Sequence, residues 1–413
     1  VPRFEPFRAW RYADADRLAE LIAPPYDVLS EEEIAALAAR SPHNIVHVDD
    51  PRGEDRYRRA GDLFRRWCTD GVLVRDDRPS FTVYRLGFTD ATGADREISG
   101  VLGGLEVLDP GVDGGAGRVL PHERTTPKAS TDRLELTRAT RANLSPVWGL
   151  SLATGLSAAL ADPGQPVGEV LDHEVDGGPV RHRVERIDDP DRVEAIAALL
   201  AADDVLIADG HHRYGVAREY RDERRAAARA DSTEVAAAER TLAFVNELAP
   251  EQLSVEAIHR LYRGVGPDAL RAALDRRFVR DPLPAGRAGD TDPSADAALL
   301  AAMAADGFLV LLGPDGAERL TPRPGAFDGV RALDGLWLEE SLADLAGLEV
   351  DYQHGVAQAR AVVADGRAVA AVLIRPVGVA EIERTAREGL LMPPKSTFFT
   401  PKLKTGLLVR PLD

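Results

Sequence analysis

The sequence predicts a mixed α+β fold, on three observations. Segments with apolar residues at helical spacing alternate with short apolar runs of strand length. The breaks between them carry Gly, Pro and Asp, and no repeat of fixed period is present. One stretch, 203–220, reads as a buried strand, a tight turn and a helix in direct succession. A chain of 413 residues has room for about two domains. The character of the sequence changes after Pro250, which places the expected division between 1–249 and 250–413, each an α+β unit.

Pro24-Pro25-Tyr26-Asp27 breaks regular structure. Ser30 followed by Glu31, Glu32 and Glu33 is an N-cap with a capping-box partner, so a helix is expected from there to about residue 40. A second helix is expected over about 55–68, where Tyr57, Ala60, Phe64 and Trp67 share one face. Strands are expected at 81–88 and 98–108, then a Gly-rich loop to 118. A helix over 133–142 is ended by Asn143 and Ser145-Pro146. Strands at 147–153 and 180–187 are separated by what reads as a polar linker. An apolar helix (193–202), a short buried strand (205–208), a long helix (213–230) and a strand (241–247) follow. Beyond Pro250 the expectations are a helix over 267–278, a loop over 281–296 and a hairpin turning at Pro314-Asp315-Gly316. A strand at 368–374, a helix at 379–388 and a last strand at 405–410 complete the chain.

Composition limits the function classes. A single cysteine, Cys68, excludes an intrachain disulfide framework and a Cys-based zinc cluster. No apolar run is long enough to span a bilayer, and the N-terminus carries no apolar signal segment, so a cytoplasmic protein is expected. The net charge of −17 repels nucleic acid and anionic membrane unless a local basic patch intervenes, and no Lys/Arg run supplies one. Neither is an expected partner. A small-molecule substrate is expected, and the oligomeric state is left open. His43, His47, His173, His182, His259 and His354 are scattered without metal-ligand spacing.

The cations are unevenly chosen. Of 51 lysines and arginines only Lys128, Lys395, Lys402 and Lys404 are lysine, and they fall in two short segments. A compact ammonium and a planar guanidinium are not interchangeable at tight sites. Both segments are therefore candidate site loops.

Three segments carry chemistry. In the first, Asp204-Val205-Leu206-Ile207-Ala208-Asp209-Gly210-His211-His212-Arg213, a buried strand delivers a turn in which Gly210 is free to take an unusual conformation, and the turn opens a helix. The first amides of a helix lack intrahelical partners and the dipole adds positive potential, so an anion has a place to bind. His211, His212 and Arg213 add donors, and an arginine can hold a phosphate bidentately. Asp209 has three candidate roles: orienting a histidine, holding magnesium or accepting a proton. In the second segment, Leu120-Pro121-His122-Glu123-Arg124-Thr125-Thr126-Pro127-Lys128, Glu123 beside His122 suits a general base or metal ligand. Lys128 and the following Arg133 suit phosphate oxygens. The third, Lys395-Ser396-Thr397 through Lys402, is rich in cations and hydroxyls. It ends like a P-loop but lacks the glycines that make one. It is expected to close over a site built by the other two. No G-x-S-x-G, G-x-G-x-x-G or H-E-x-x-H pattern is present.

Taken together, Ala23-Pro24-Pro25-Tyr26-Asp27-Val28, Leu120-Pro121-His122-Glu123-Arg124-Thr125, Asp132-Arg133-Leu134, Ser145-Pro146-Val147, Asp209-Gly210-His211-His212-Arg213-Tyr214 and Met392-Pro393-Pro394-Lys395-Ser396-Thr397 resemble the prokaryotic family called domain of unknown function 1015. The resemblance covers nearly the whole chain. More distantly, Asp209-Gly210-His211-His212-Arg213 is similar to the phosphate box of the ParB/sulfiredoxin superfamily, which includes nucleotide-binding partition proteins, sulfiredoxin and free serine kinases. That likeness implies a ParB/sulfiredoxin-like core and a nucleotide-dependent kinase acting on a small hydroxylated metabolite, with free serine a candidate. It implies ATP or ADP with magnesium, held by Glu123 or Asp209, as cofactor. An acidic residue upstream of the box activates the hydroxyl in such kinases, and Glu123 is the candidate here. A nucleotide-binding regulatory switch and a phosphoester hydrolase that needs no nucleotide are the other two readings.

Overall fold

The computed structural model describes residues 2–90, 93–109, 118–121, 130–173, 178–227, 233–283 and 293–413. They form a mixed α+β structure around two sheets. The larger sheet runs in the order Val119–Pro121, Val205–Asp209, Val147–Ser151, Arg240–Glu247, Asp95–Glu106, Phe81–Thr89, Pro179–Ile187, Gln165–His173, with Phe4–Glu5 added beside Asp95–Glu106. Two of its pairings are parallel, Val205–Asp209 with Val119–Pro121 and Arg240–Glu247 with Val147–Ser151; the others are antiparallel. The smaller sheet is antiparallel throughout, in the order Phe278–Leu283, Gly316–Pro322, Leu309–Gly313, Ala370–Leu373, Ile258–Arg263, Glu349–His354.

Both faces of the larger sheet are covered, so its central strands are buried on both sides rather than alternating. Glycines make room between strands: a Cβ at Gly103 would lie 2.3 Å from the Phe4 ring, and one at Gly100 would lie 2.4 Å from Phe244. The helix Glu31–Arg40 starts as expected. Ser30 Oγ accepts from the Glu33 amide, and the Glu33 carboxylate accepts from the Ser30 amide at 2.7 Å. The helix Arg56–Thr69 buries Ala60, Gly61, Phe64 and Trp67. Gly61 lets it approach the helix Ser130–Thr140, where any Cβ would meet the Ala139 carbonyl.

Strands Ile258–Arg263, Phe278–Leu283 and Glu349–His354 and helices Asp334–Leu342 and Val356–Ala364 were not expected, and three further regions differ from the sequence reading. The polar linker after residue 153 contains a nine-residue strand, Gln165–His173, paired with Pro179–Ile187. It sits at the sheet edge, so its side chains did not need to be apolar. The loop expected over 281–296 gives way at Pro293 to a helix, Pro293–Asp306, whose run of alanines has high helix propensity. The last expected strand is broken up. Thr405 bridges to Ala23, Val409 to Trp10, and only Arg410–Pro411 pairs as a strand, with Ala142–Asn143. Its partners come from three separate parts of the chain.

All six strands of the smaller sheet lie between residues 258 and 373, after Pro250. The chain then returns to the first core, where Ile382, Met392, Phe399, Leu403 and Leu407–Val409 pack with residues of the larger sheet. No helix among the described residues is long and apolar enough to cross a membrane.

Two of the scattered histidines are core residues. His182 Nδ1 lies 2.7 Å from the Tyr84 hydroxyl, and His259 Nδ1 lies 3.3 Å from the Ile374 amide. Burial, with Lys404 beside it and only partly offset by Asp172, pushes His182 down from 6.5 to about 3. Burial, with Arg260 and His354 beside it, does the same to His259. Each has a lower pKa folded than unfolded. Below pH 6.5 the unfolded chain therefore gains protons that the folded chain does not, and stability falls. The loss is roughly 1.4 kcal/mol per pH unit per histidine at most. Urea midpoints should hold above pH 7 and decline steadily towards pH 4, more gently in His182→Gln.

Candidate functional site

The strand Val205–Asp209 is apolar and buried until its last residue. It lies between Val119–Pro121 and Val147–Ser151, and its pairing with the latter becomes irregular between Ile207 and Asp209. There the chain leaves the sheet. Gly210 takes φ +84°, a left-handed conformation that favours glycine, and the helix His211–Ala227 begins at once. The strand–turn–helix expected from the sequence is present, with the helix two residues longer at its start.

Arg213, one turn into the helix, folds back over the turn. Its Nη2 donates to Asp209 Oδ2 at 3.0 Å and its Nη1 donates to the Pro146 carbonyl. Its buried Nε has no hydrogen-bond partner among the described residues. Lys402, from the C-terminal segment, brings its Nζ to 3.8 Å from the same Asp209 oxygen. Burial opposes ionisation of Asp209, but Lys402, Arg213 and His211 outweigh it, and its carboxyl is held well below the usual range.

A second charged pair stands beside this one. Arg133 Nη1 donates to the Asp49 carbonyl at 2.6 Å and to Asp49 Oδ1 at 3.2 Å, and its guanidinium lies 3.5 Å from the centre of the Tyr26 ring. Ser145 Oγ donates to Asp49 Oδ1 at 3.3 Å and lies 2.9 Å from Thr405 Oγ1. Burial raises the Asp49 carboxyl, and Arg133 and Arg213 offset that only in part. Tyr26, Asp49, Arg133, Asn143, Ser145 and Arg213 line a cavity of about 50 Å³. This is well below the roughly 300–1,000 Å³ of a small-molecule pocket.

The structure thus brings Asp209, Gly210, His211, Arg213, Lys402 and Arg133 together. His212 is half-buried at the start of the same helix. Lys395, Ser396 and Thr397 occupy a turn next to the smaller sheet. The Lys395 carbonyl accepts from Arg260 Nη1 at 3.1 Å, and Ser396 Oγ donates to the Pro393 carbonyl at 2.8 Å. Lys395 is exposed, with φ +60°. Lys404 turns away from the box and pairs with Asp172 at 2.7 Å. His122, Glu123 and Lys128 lie outside the described residues. Asp49 was not singled out from the sequence, and Ser145 was quoted in a family motif but not as a site residue. A short buried helix, Val46–Asp49, gives no local sign that its last carboxylate faces an arginine 84 residues away.

A family model described as "Protein of unknown function (DUF1015)" matches residues 4–336. The chain belongs to this family. A search of curated proteins gives no match. Among solved structures, a free serine kinase in complex with AMP is 12% identical, with 70% of this chain and 89% of that one covered and a TM-score of 0.36. A conserved hypothetical protein from Pyrococcus furiosus is 13% identical, with 70% and 92% covered and a TM-score of 0.35. C-terminally truncated SbnI from Staphylococcus aureus is 12% identical, with 72% and 82% covered and a TM-score of 0.37. At such TM-scores nothing about activity transfers from these proteins to this DUF1015 member.

The turn can be tested by itself. A Cβ at Gly210 would lie 3.0 Å from Arg213 Nε, whereas one at Gly71 (φ +77°) would meet nothing. Gly71→Ala should cost the backbone strain alone, about 1–2 kcal/mol. Gly210→Ala should lower the urea midpoint further, because Arg213 must also move.

Proposed function

We propose that this protein is a nucleotide-dependent phosphotransferase acting on a small hydroxylated metabolite, with free serine one candidate acceptor. The observation that carries the reading is the convergence of Arg213 and Lys402 on Asp209 where a strand ends and a helix begins. Two cations of different shape, fixed beside the positive end of a helix dipole, suit a chain of phosphates better than a single carboxylate ligand. Gly210, His211 and His212 supply the turn and its amides. Arg213 and Lys402 face phosphate oxygens, and Arg133, held by Asp49, adds a third charge at the rim.

In this reading Asp209 is a positioning residue. A carboxylate with so low a pKa is a poor proton acceptor, so it serves to aim Arg213 and Lys402. The proton acceptor for the substrate hydroxyl is then Glu123, in the segment after Val119–Pro121, the strand that pairs with the box strand. Transfer forms a bond from the acceptor oxygen to the terminal phosphorus and breaks the bond to the bridging oxygen. The proton leaves for the base, and the cations absorb the charge gathering on the released phosphate. Arg213 and Lys402 both sit on Asp209 Oδ2. No group of three or more potential ligands occurs among the described residues.

Full-length protein incubated with ATP, ADP or CTP, magnesium and a pool of amino acids and sugars should give a new phosphoester signal by phosphorus NMR. Free phosphate alone would replace this reading with hydrolysis. Nucleotide binding without turnover would replace it with a nucleotide-responsive switch. Arg213→Ala should weaken nucleotide binding by about 10- to 100-fold, the loss expected for about 1.5–3 kcal/mol of charged hydrogen bonding. Circular dichroism should show the fold retained.

A further inference from the structure

Lys402 is held by more than its charge partner. Its ammonium lies 4.3 Å from the centre of the Phe398 ring. The same ring is stacked on the His354 imidazole, with centroids 4.5 Å apart and planes within 6°. His354 ends Glu349–His354, the edge strand of the smaller sheet, whereas Asp209 ends a strand of the larger one. The backbone around Phe398 is fixed from the same side. Phe398 and Phe399 pair with Glu256 and Val255, the Thr400 amide donates to the Ser254 carbonyl at 3.1 Å, and Arg260 holds the Lys395 carbonyl. Lys404, two residues beyond Lys402, is tied to Asp172. A continuous set of contacts therefore runs from the smaller sheet through His354, Phe398 and Lys402 to Asp209 and Arg213.

We propose that Phe398 is the positioning residue for the site's ammonium, with His354 as its backing, so that the smaller sheet sets where Lys402 stands in the phosphate site. A lysine side chain has four rotatable bonds and much freedom to lose when it is ordered. A carboxylate at 3.8 Å is too long for a hydrogen bond and does not fix direction. An aromatic face attracts an ammonium and confines it to one side, which adds a directional constraint to the charge partner. The stacked imidazole stops the ring from turning away. This inference rests on the phosphate-site reading above and adds to it the residue that orients Lys402.

The lysine content makes the test direct. With only four lysines in the chain, full-length protein labelled with ¹³C-lysine gives four Cε–Hε cross-peaks, and Lys402→Arg identifies one of them. Protons held over an aromatic ring are shifted upfield. The Lys402 peak should be upfield of its usual position, return towards it in Phe398→Leu, stay shifted in Phe398→Tyr, and move part-way in His354→Ala. ADP with magnesium should bind about tenfold more weakly to Phe398→Leu and within about twofold of wild type to Phe398→Tyr. An unshifted Lys402 peak in the wild type overturns the inference. So does a Phe398→Leu protein that loses the shift yet binds ADP as wild type does. Wild-type protein that binds no ADP overturns the proposed function instead, and the ring-current shift with its response to the Phe398 and His354 variants still decides the positioning. If Phe398→Leu fails to fold, the wild-type peak and the Tyr and Ala variants decide it.

Discussion

Asp209 ends a strand whose other residues are buried, and a carboxylate in that place needs compensating charge. It receives two. Arg213 reaches it because the Gly210 turn doubles the chain back into a helix, and Lys402 reaches it because the C-terminal segment returns to the larger sheet. The two cations keep the carboxylate ionised, and the carboxylate keeps two positive groups within a few ångströms of each other without their mutual repulsion dispersing them. That balance holds two cations and one carboxylate together where the strand ends and the helix begins.

The rest of the C-terminal segment is fixed by buried polar pairs of the same kind. Lys404 pairs with Asp172 on the edge strand, Thr405 meets Ser145, and Ser145 meets Asp49, which holds Arg133. Removing one partner from a buried pair costs roughly 3–5 kcal/mol, whereas an exposed pair contributes about 1 kcal/mol or less. Exposed pairs such as Arg58 with Asp55 and Arg65 with Asp62 therefore add little, however numerous they are. The position of Lys402 depends on the few buried pairs and on the apolar residues Leu403 and Leu407–Val409 around them.

Much of this was legible in the sequence where the physics is local. The capping box at Ser30 and Glu33 is a contact over three residues, and it forms as read. The strand, the glycine turn and the helix at 205–227 are dictated by burial and a left-handed position set within one short stretch. The scarcity of lysine pointed to Lys402, and it stands beside Asp209. The same reasoning grouped Lys395 with Lys402 as site residues. The Lys395 carbonyl is held by Arg260 of the smaller sheet. The edge strand Gln165–His173 was missed because an edge position does not demand an apolar pattern. Asp49 was missed because nothing near it in the chain needs its charge.

By itself the sequence determined the mixed α+β character and the strand–turn–helix at 205–227. Each of these follows from side chains acting on their own stretch of backbone. Tertiary structure alone decided which distant residues meet there. Asp49 with Arg133, Ser145 with Thr405, Lys402 with Asp209 and His354 with Phe398 are contacts across 84, 260, 193 and 44 positions. Such pairings are set by how two sheets and a returning C-terminal segment share one core, and that sharing is a property of the whole packed chain.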